Sequence, residues 1–274
     1  MKRPLTLAEM RAEGRDPLSL LSTDRAVLVD PAWLARVGAG APLMFWDDDE
    51  EERPAEPYAA SGGVAVVDVE GPIAQRGWMC ADGYDTVCGN LEAALADPAV
   101  RTVLLRINSP GGAAAGAFEW TGRMRELVVA SRKRCVAYAD EMACSGAYAV
   151  ACVADEIVTP ETGVVGSVGV IASMVSWAKA NEAEGIDFRA ITSGAEKADG
   201  CPNLPLDEAA IARAQREVDT IAGVFHRWVA TRRGMTPEAV RALEAGVRMG
   251  AEAVATRLAD RVLGYHALLA ELTA

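Results

Sequence analysis

The sequence predicts an α/β fold with a mostly parallel sheet and helices at its C-terminal end. Three observations predict it. Short β-branched apolar runs recur along the chain, each closed by Gly, Pro, Asn or Asp. Ala-rich stretches with helical spacing lie between them. Beyond residue 206 helical periodicity takes over. Alternating strands and helices are what parallel strands joined by right-handed crossovers require.

Residues 1–45 read as an appended segment with one or two short helices, for example "DPAWLARVGAG" at 30–40. Residues 46–62, "WDDDEEERPAEPYAASG", place an acidic block before Pro, Ala, Ser and Gly. That composition suits a solvated linker, with an acidic recognition tail as the alternative. The main body covers 63–270. It opens with a buried strand through Val64, Val66, Val67 and Val69, ended by Gly71-Pro72. A helix is expected over "GYDTVCGNLEAALADPAV", then a strand at 101–107 and the turn "NSPGG". "AAAGAFEWTGRMRELVVASR" reads as a helix and "RCVAYAD" as a strand. A second short helix then follows in "EMACSGAYAVACVADEIV". "EIVTP" and "VVGSVGVIA" read as extended, "SMVSWAKANEAEG" as helix and "IDFRAITSG" as strand. A long helix starts at an Asp207 N-cap and stops at Gly234. Its residues Ile211, Ala214, Val218, Ile221, Phe225 and Trp228 form a heptad-like stripe. Such a stripe serves either packing on the parent domain or contact with another subunit.

Composition narrows the function. The 274 residues carry a net charge of −12 and show no basic stripe, which argues against a nucleic-acid partner. The run "SRKR" at 131–134 suits a solvated helix end. Hydrophobic residues make up 51% but aromatics only 5%, so the core must be built from Ala, Val, Leu and Ile. Of six cysteines none forms a C-x-x-C pair, and there are only two histidines, so no metal and no cofactor are expected. Cysteines in small apolar surroundings read as reduced core thiols, which fits a cytoplasmic location. The N-terminus lacks the apolar region of a secretory signal. No run reaches the roughly 18 apolar residues that a membrane helix needs.

Three pieces carry chemistry. The first is "INSPGG", where Gly111 and Gly112 let the backbone come close to a ligand near a helix start. Its N–H groups could hold an oxyanion; an ordinary strand-to-helix turn is the plain alternative. No G-K-[ST] follows, so a phosphate loop is disfavoured. The second is Ser145, which follows a strand and opens an Ala-rich helix. Cys144 is a rival nucleophile, but adjacent residues point about 100° apart at a helix start, so only one faces a cleft.

A serine nucleophile needs a base. His226 and His266 both fall in the C-terminal helical part and are poor candidates. The remaining option is a lysine. Such a lysine must be neutral near pH 7, hence desolvated or close to positive charge. The lysines are Lys2, Lys133, Lys179 and Lys197. Lys197, in the Gly-bounded loop "TSGAEKADG", is the best placed to reach a cleft and is the third piece. By itself it reads as an ordinary loop lysine, and neighbouring Glu196 could pair with it.

The ordered set "VAVVDVEGPI", "LRINSPGG", "DEMACSGAYAVACVADEIV", "TGVVGSVGV", "ITSGAEKADG" and "VRMGAEAVATRLADRVLG" resembles the signal peptide peptidase A family of serine peptidases. That family includes bacteriophage head-maturation members. The resemblance covers roughly residues 62–266 and implies a Clp protease–crotonase-like fold for the 63–270 domain. It implies Ser145 as nucleophile, Lys197 as general base, and the amides of Gly112 and Gly146 as oxyanion donors. Here "CSGA" stands where many relatives have "ASGG", so Ala147 replaces a glycine and narrows the pocket. The family's membrane-anchored members carry a transmembrane helix. None is read here, which favours the phage-type branch.

The expected function is therefore a serine endopeptidase with a Ser-Lys dyad acting through an acyl-enzyme. An extended peptide is expected to pair with Gly111 and Ala113 on one side and Val165, Gly166 and Ser167 on the other. The resemblance implies capsid, scaffold or portal proteins as substrates, and a ring-like homo-oligomer in which neighbouring subunits can share the dyad. The alternatives are a signal-peptide or membrane-fragment peptidase of the same family, a crotonase-type enzyme acting on acyl thioesters, and a non-catalytic assembly protein. Crotonase-type chemistry usually employs carboxylates where this chain offers Ser145. An assembly protein would have no need of an intact Ser145 and Lys197.

Overall fold

A computed structural model of the chain describes residues 57–77 and 82–274, and the backbone strand of residues 27–29. The short helix expected at 30–40 and most of the acidic linker lie outside the described residues.

The strands, in chain order, are β1 (Val27–Val29), β2 (Ala59–Ser61), β3 (Val64–Glu70), β4 (Ile73–Ala74), β5 (Asp82–Gly83), β6 (Thr102–Ser109), β7 (Gly111–Ala113), β8 (Arg134–Cys144), β9 (Glu156–Thr159), β10 (Val164–Gly166), β11 (Val247–Met249) and β12 (Arg261–Val262). The helices are α1 (Tyr84–Ala96), α2 (Ala117–Ser131), α3 (Gly146–Ala151), α4 (Ala178–Ala183), α5 (Glu208–Arg233), α6 (Pro237–Arg241), α7 (Gly250–Ala255) and α8 (Tyr265–Thr273).

The large sheet runs β11-β10-β8-β6-β3-β2. The ladders β3–β6, β6–β8 and β8–β10 are parallel, and the outer pairs β2–β3 and β10–β11 are antiparallel. This is the mixed α/β architecture, mostly parallel and with C-terminal helices, that the alternation predicts. The long β8 has two partners on one side. Val136–Tyr138 pair with β9, and Met142–Cys144 pair with β10. The switch coincides with a register shift against β6 and with Glu141 at φ 69°. A small second sheet, β1-β7-β4-β5, sits beside it.

Strand alternation sorts the core into two faces. Ala65, Val67 and Val69 of β3 and Val103, Leu105 and Ile107 of β6 face α1, α2 and α3. Val64 and Leu104 face the other way, onto Leu268 and Leu272 of α8. Arg106 lies on that second face, forked onto Asp68 (2.6 and 3.0 Å) and 5.6 Å from the Tyr265 ring. Cys88, Cys135, Cys144 and Cys152 are buried within this packing.

The long helix α5 begins and ends where its caps predict. The Asp207 carboxylate accepts from the Ala210 N–H (3.2 Å), and Gly234 closes it at φ 61°. Its stripe divides. Phe225 and Val229 are buried against the parent domain, whereas Ile211 is exposed and Val218 and Ile221 are only half-buried.

Several expected boundaries are corrected. The strand expected at "IDFRAITSG" does not form; residues 186–196 are exposed, and Ile191 is fully so. Its alternating apolar residues meet no sheet edge among the described residues, and an unpaired strand has no ladder to hold it. The helix expected over "SMVSWAKANEAEG" is confined to α4. The helix expected from Ala113 starts at Ala117, because Gly111–Ala113 pair as β7. Strand β8 runs four residues past the expected "RCVAYAD", up to the residue before Ser145.

Candidate active site

Ser145 stands at the elbow between β8 and α3. Its backbone adopts φ 53°, ψ −121°, a sparsely populated conformation for a residue with a side chain. Such strain persists where the surroundings over-determine it, and a sharp strand-to-helix turn is how a serine hydroxyl is presented at a sheet edge. The surroundings here do so. The Ser145 N–H donates to the Gly166 carbonyl (2.7 Å), its carbonyl accepts from the Ala149 N–H, and its Oγ donates to the Gly169 carbonyl (3.4 Å). The Trp228 indole N–H of α5 donates to the Ala149 carbonyl (3.0 Å), tying α5 to the short helix. Ser145 is 1% exposed.

The strand beside the elbow is equally constrained. Gly166 pairs with Cys144 and has φ 117°, and Ser167 follows at φ 51°. The Ser167 N–H donates to the Gly246 carbonyl, and the Gly169 N–H to the Ser167 carbonyl. Val165, Gly166 and Ser167 are all buried at the β8 edge. Cys144 is also buried, with its thiol 4.0 Å from the Val164 carbonyl, away from the Gly169 contact of Ser145.

Opposite lies the glycine strand. The ladder brings Ser109 level with Ala143, two residues before Ser145, and α3 packs on β7. Gly111 has φ 100°, and its N–H donates to the buried Ser109 hydroxyl (3.2 Å). Gly112 lies so close to β4 that a Cβ there would sit 1.7 Å from the Ile73 oxygen. The Tyr84 hydroxyl donates to the Ala113 carbonyl (3.1 Å), and burial raises the Tyr84 pKa, keeping the donor protonated. The Gly146 N–H makes no hydrogen bond among the described residues, as befits a first-turn amide. Ser145, Gly146, Gly111–Ala113 and Val165–Ser167 therefore form one locality.

Lys197, the expected base, is not buried as these groups are. It is exposed on a turn-rich segment, and its ammonium has no hydrogen bond or ion pair among the described residues. Glu196 does not pair with it; Glu196 lies 3.8 Å from Arg213 instead. Arg213 is the anchor of the Lys197 loop, forking onto Asp199 at 2.5 and 3.0 Å. That pairing lowers the Asp199 carboxyl pKa. His226 is hydrogen-bonded to the backbone of Val168, and its pKa is lowered, chiefly by burial.

Sequence reading missed Ser109, Tyr84, the Gly169 carbonyl and Arg213. Ser109 lay within the "NSPGG" motif, but nothing local tells a buried acceptor from a turn residue. Tyr84 and Ala113 are 29 positions apart, with no pattern linking them. Among the described residues no cluster of His, Cys, Asp or Glu could hold a metal ion. No described helix is long and apolar enough to cross a membrane.

A strained buried serine, a free amide after it and a glycine strand alongside are suited to acyl transfer from an extended peptide. Comparison with known proteins agrees with this chemistry. The chain is 35% identical over 232 residues to the head-tail preconnector protein GP5 of Enterobacteria phage P21, covering 81% of the chain and 46% of that protein. It is 30% identical over 231 residues to the capsid assembly protease C of Escherichia phage lambda, covering 81% and 52%. It is 28% identical over 231 residues to a putative signal peptide peptidase SppA of Enterococcus faecium, covering 81% and 66%. The chain spans about half the length of the two phage relatives. Residues 128–274, more than half of the chain, match the profile of Peptidase family S49, and the chain belongs to that family.

Proposed function

We propose that the chain is a serine endopeptidase that processes capsid, scaffold or portal proteins of a phage head. Its body, residues 63–270, has a Clp protease–crotonase-like fold behind an appended segment (1–45) and a linker (46–62). It acts in the host cytoplasm or within a procapsid. The observation that carries this reading is the backbone of Ser145, held at φ 53°, ψ −121° beside the glycine strand.

In the proposed reaction, neutral Lys197 takes the Ser145 proton and Oγ attacks the scissile carbonyl carbon. The carbonyl electrons move to oxygen, where the amides of Gly112 and Gly146 stabilise the charge. The tetrahedral intermediate collapses, and the leaving amine takes its proton from Lys197. Water, deprotonated by Lys197, then opens the acyl-serine ester and restores both groups. Lys197 must be dried to be neutral. Its segment also exposes Ile186, Phe188 and Ile191, with Trp177 exposed nearby. A second copy covering these side chains would bury apolar area and desolvate the lysine together. Ile211, the exposed first residue of the α5 stripe, supports the same homo-oligomeric reading.

The test is labelling of the purified full chain with a fluorophosphonate probe. Labelling is expected at Ser145 and is expected to vanish in Ser145→Ala and in Lys197→Ala. Undiminished labelling in either variant overturns the dyad. Mixing the two inactive variants restores part of the labelling if Lys197 acts on a neighbour's Ser145.

A further inference from the structure

The glycine strand already has an occupant. Residues 27–29, Val-Leu-Val, pair antiparallel with β7, with Val27 opposite Ala113, Leu28 opposite Gly112 and Val29 opposite Gly111. The other edge of β7 is taken by β4, whose Ile73 pairs with Gly112. A strand has only two edges, so the edge lined by β1 is the one a peptide could add to. The segment on it comes from this chain and joins the body through residues 30–56.

We infer that residues 27–29 are an intramolecular pseudosubstrate strand, occupying the peptide edge of β7 until an incoming substrate displaces them. This deepens the proposed function, since it takes β7 as the docking edge beside Ser145. Main-chain pairing does not depend on side-chain identity, so any extended segment can take the position. An aliphatic stretch with β propensity is suited to it. Tethering makes it a strong competitor. At an occupancy of about 90% the apparent affinity for external peptide falls about tenfold. The structure thus holds a brake on the peptide edge, opposite Gly112.

The experiment uses the full chain in a Ser145→Ala background, so that no turnover intervenes. A fluorescent synthetic peptide with the sequence of residues 22–31 is titrated against this protein and against the same protein carrying Leu28→Pro. Proline removes an N–H, which costs an edge strand a ladder bond where that N–H faces the neighbouring strand. The peptide is expected to bind the Leu28→Pro protein about tenfold more tightly. Hydrogen exchange across residues 110–116 is expected to be faster in that variant before peptide is added. Val29→Pro is the companion variant: of the adjacent Leu28 and Val29 N–H groups only one faces β7, and the variant that removes that one shows both effects. Equal binding to all three proteins, or binding to none, overturns the inference. Fluorophosphonate labelling of Ser145 is read separately, so failure of the peptidase reading and failure of the brake give different results.

Discussion

Replacing Gly112 by alanine tests the fold and the site in one step. The new methyl carbon would lie 1.7 Å from the Ile73 oxygen and 2.5 Å from its carbonyl carbon. Carbon–oxygen contacts settle at about 3.3 Å, so β7 must retreat from β4 by about 1.6 Å. The atom in the way is backbone, which cannot rotate aside as a side chain could. Overpacking of this kind costs about 1–3 kcal/mol. In a domain of this size that lowers Tm by roughly 3–9 °C. The same retreat moves the Gly112 amide off the proposed oxyanion position, and a displacement of about 1 Å costs on the order of 100-fold in rate. The assay pairs the rate of fluorophosphonate labelling at Ser145 with a thermal melt. Gly122→Ala is the control. That glycine sits in the middle of α2 with nothing near its absent Cβ, so the change is expected to stabilise by about 0.5–1 kcal/mol and leave labelling intact. Wild-type labelling and an unchanged Tm in Gly112→Ala would refute the reasoning.

Two further outcomes follow from ion pairs. Asp260 accepts from Arg233 (2.9 and 2.8 Å) and from the Ile157 N–H (2.8 Å). Burial raises its pKa, but those hydrogen bonds outweigh burial and leave it lowered. A lowered carboxyl stabilises the fold above its unfolded pKa of about 3.9 and loses that contribution as pH falls through the folded value. Asp260→Asn is expected to cost about 1–2 kcal/mol near neutrality, less than for a fully buried pair because the Asp260 side chain is 39% exposed. Denaturant melts should show the gap to wild type closing below about pH 4; a gap independent of pH would count against the pairing. Arg213→Ala should free the Lys197 loop and slow Ser145 labelling about tenfold with Tm unchanged, without rescue by Arg213→Lys, which lacks the fork onto Asp199. Unchanged labelling would show that the fork does not position the lysine.

The sequence by itself determined the α/β architecture, the caps of α5 and the neighbourhood of Ser145. Those features are local: periodicity, Gly and Asp at helix ends, and a glycine pair closing a strand. The tertiary structure decided what depends on partners distant in the chain. It made Gly111–Ala113 a strand, because β4 and β1 flank it. It carried β8 on to Cys144, because β10 runs alongside. It left "IDFRAITSG" without a ladder, because no edge among the described residues meets it. It also decided that Ser145 takes its strained backbone from Gly166 and Ala149, and that Lys197 is exposed with no ion pair among the described residues. Local spacing sets which elements form; the free energy of pairing and burial across long separations sets which of them meet.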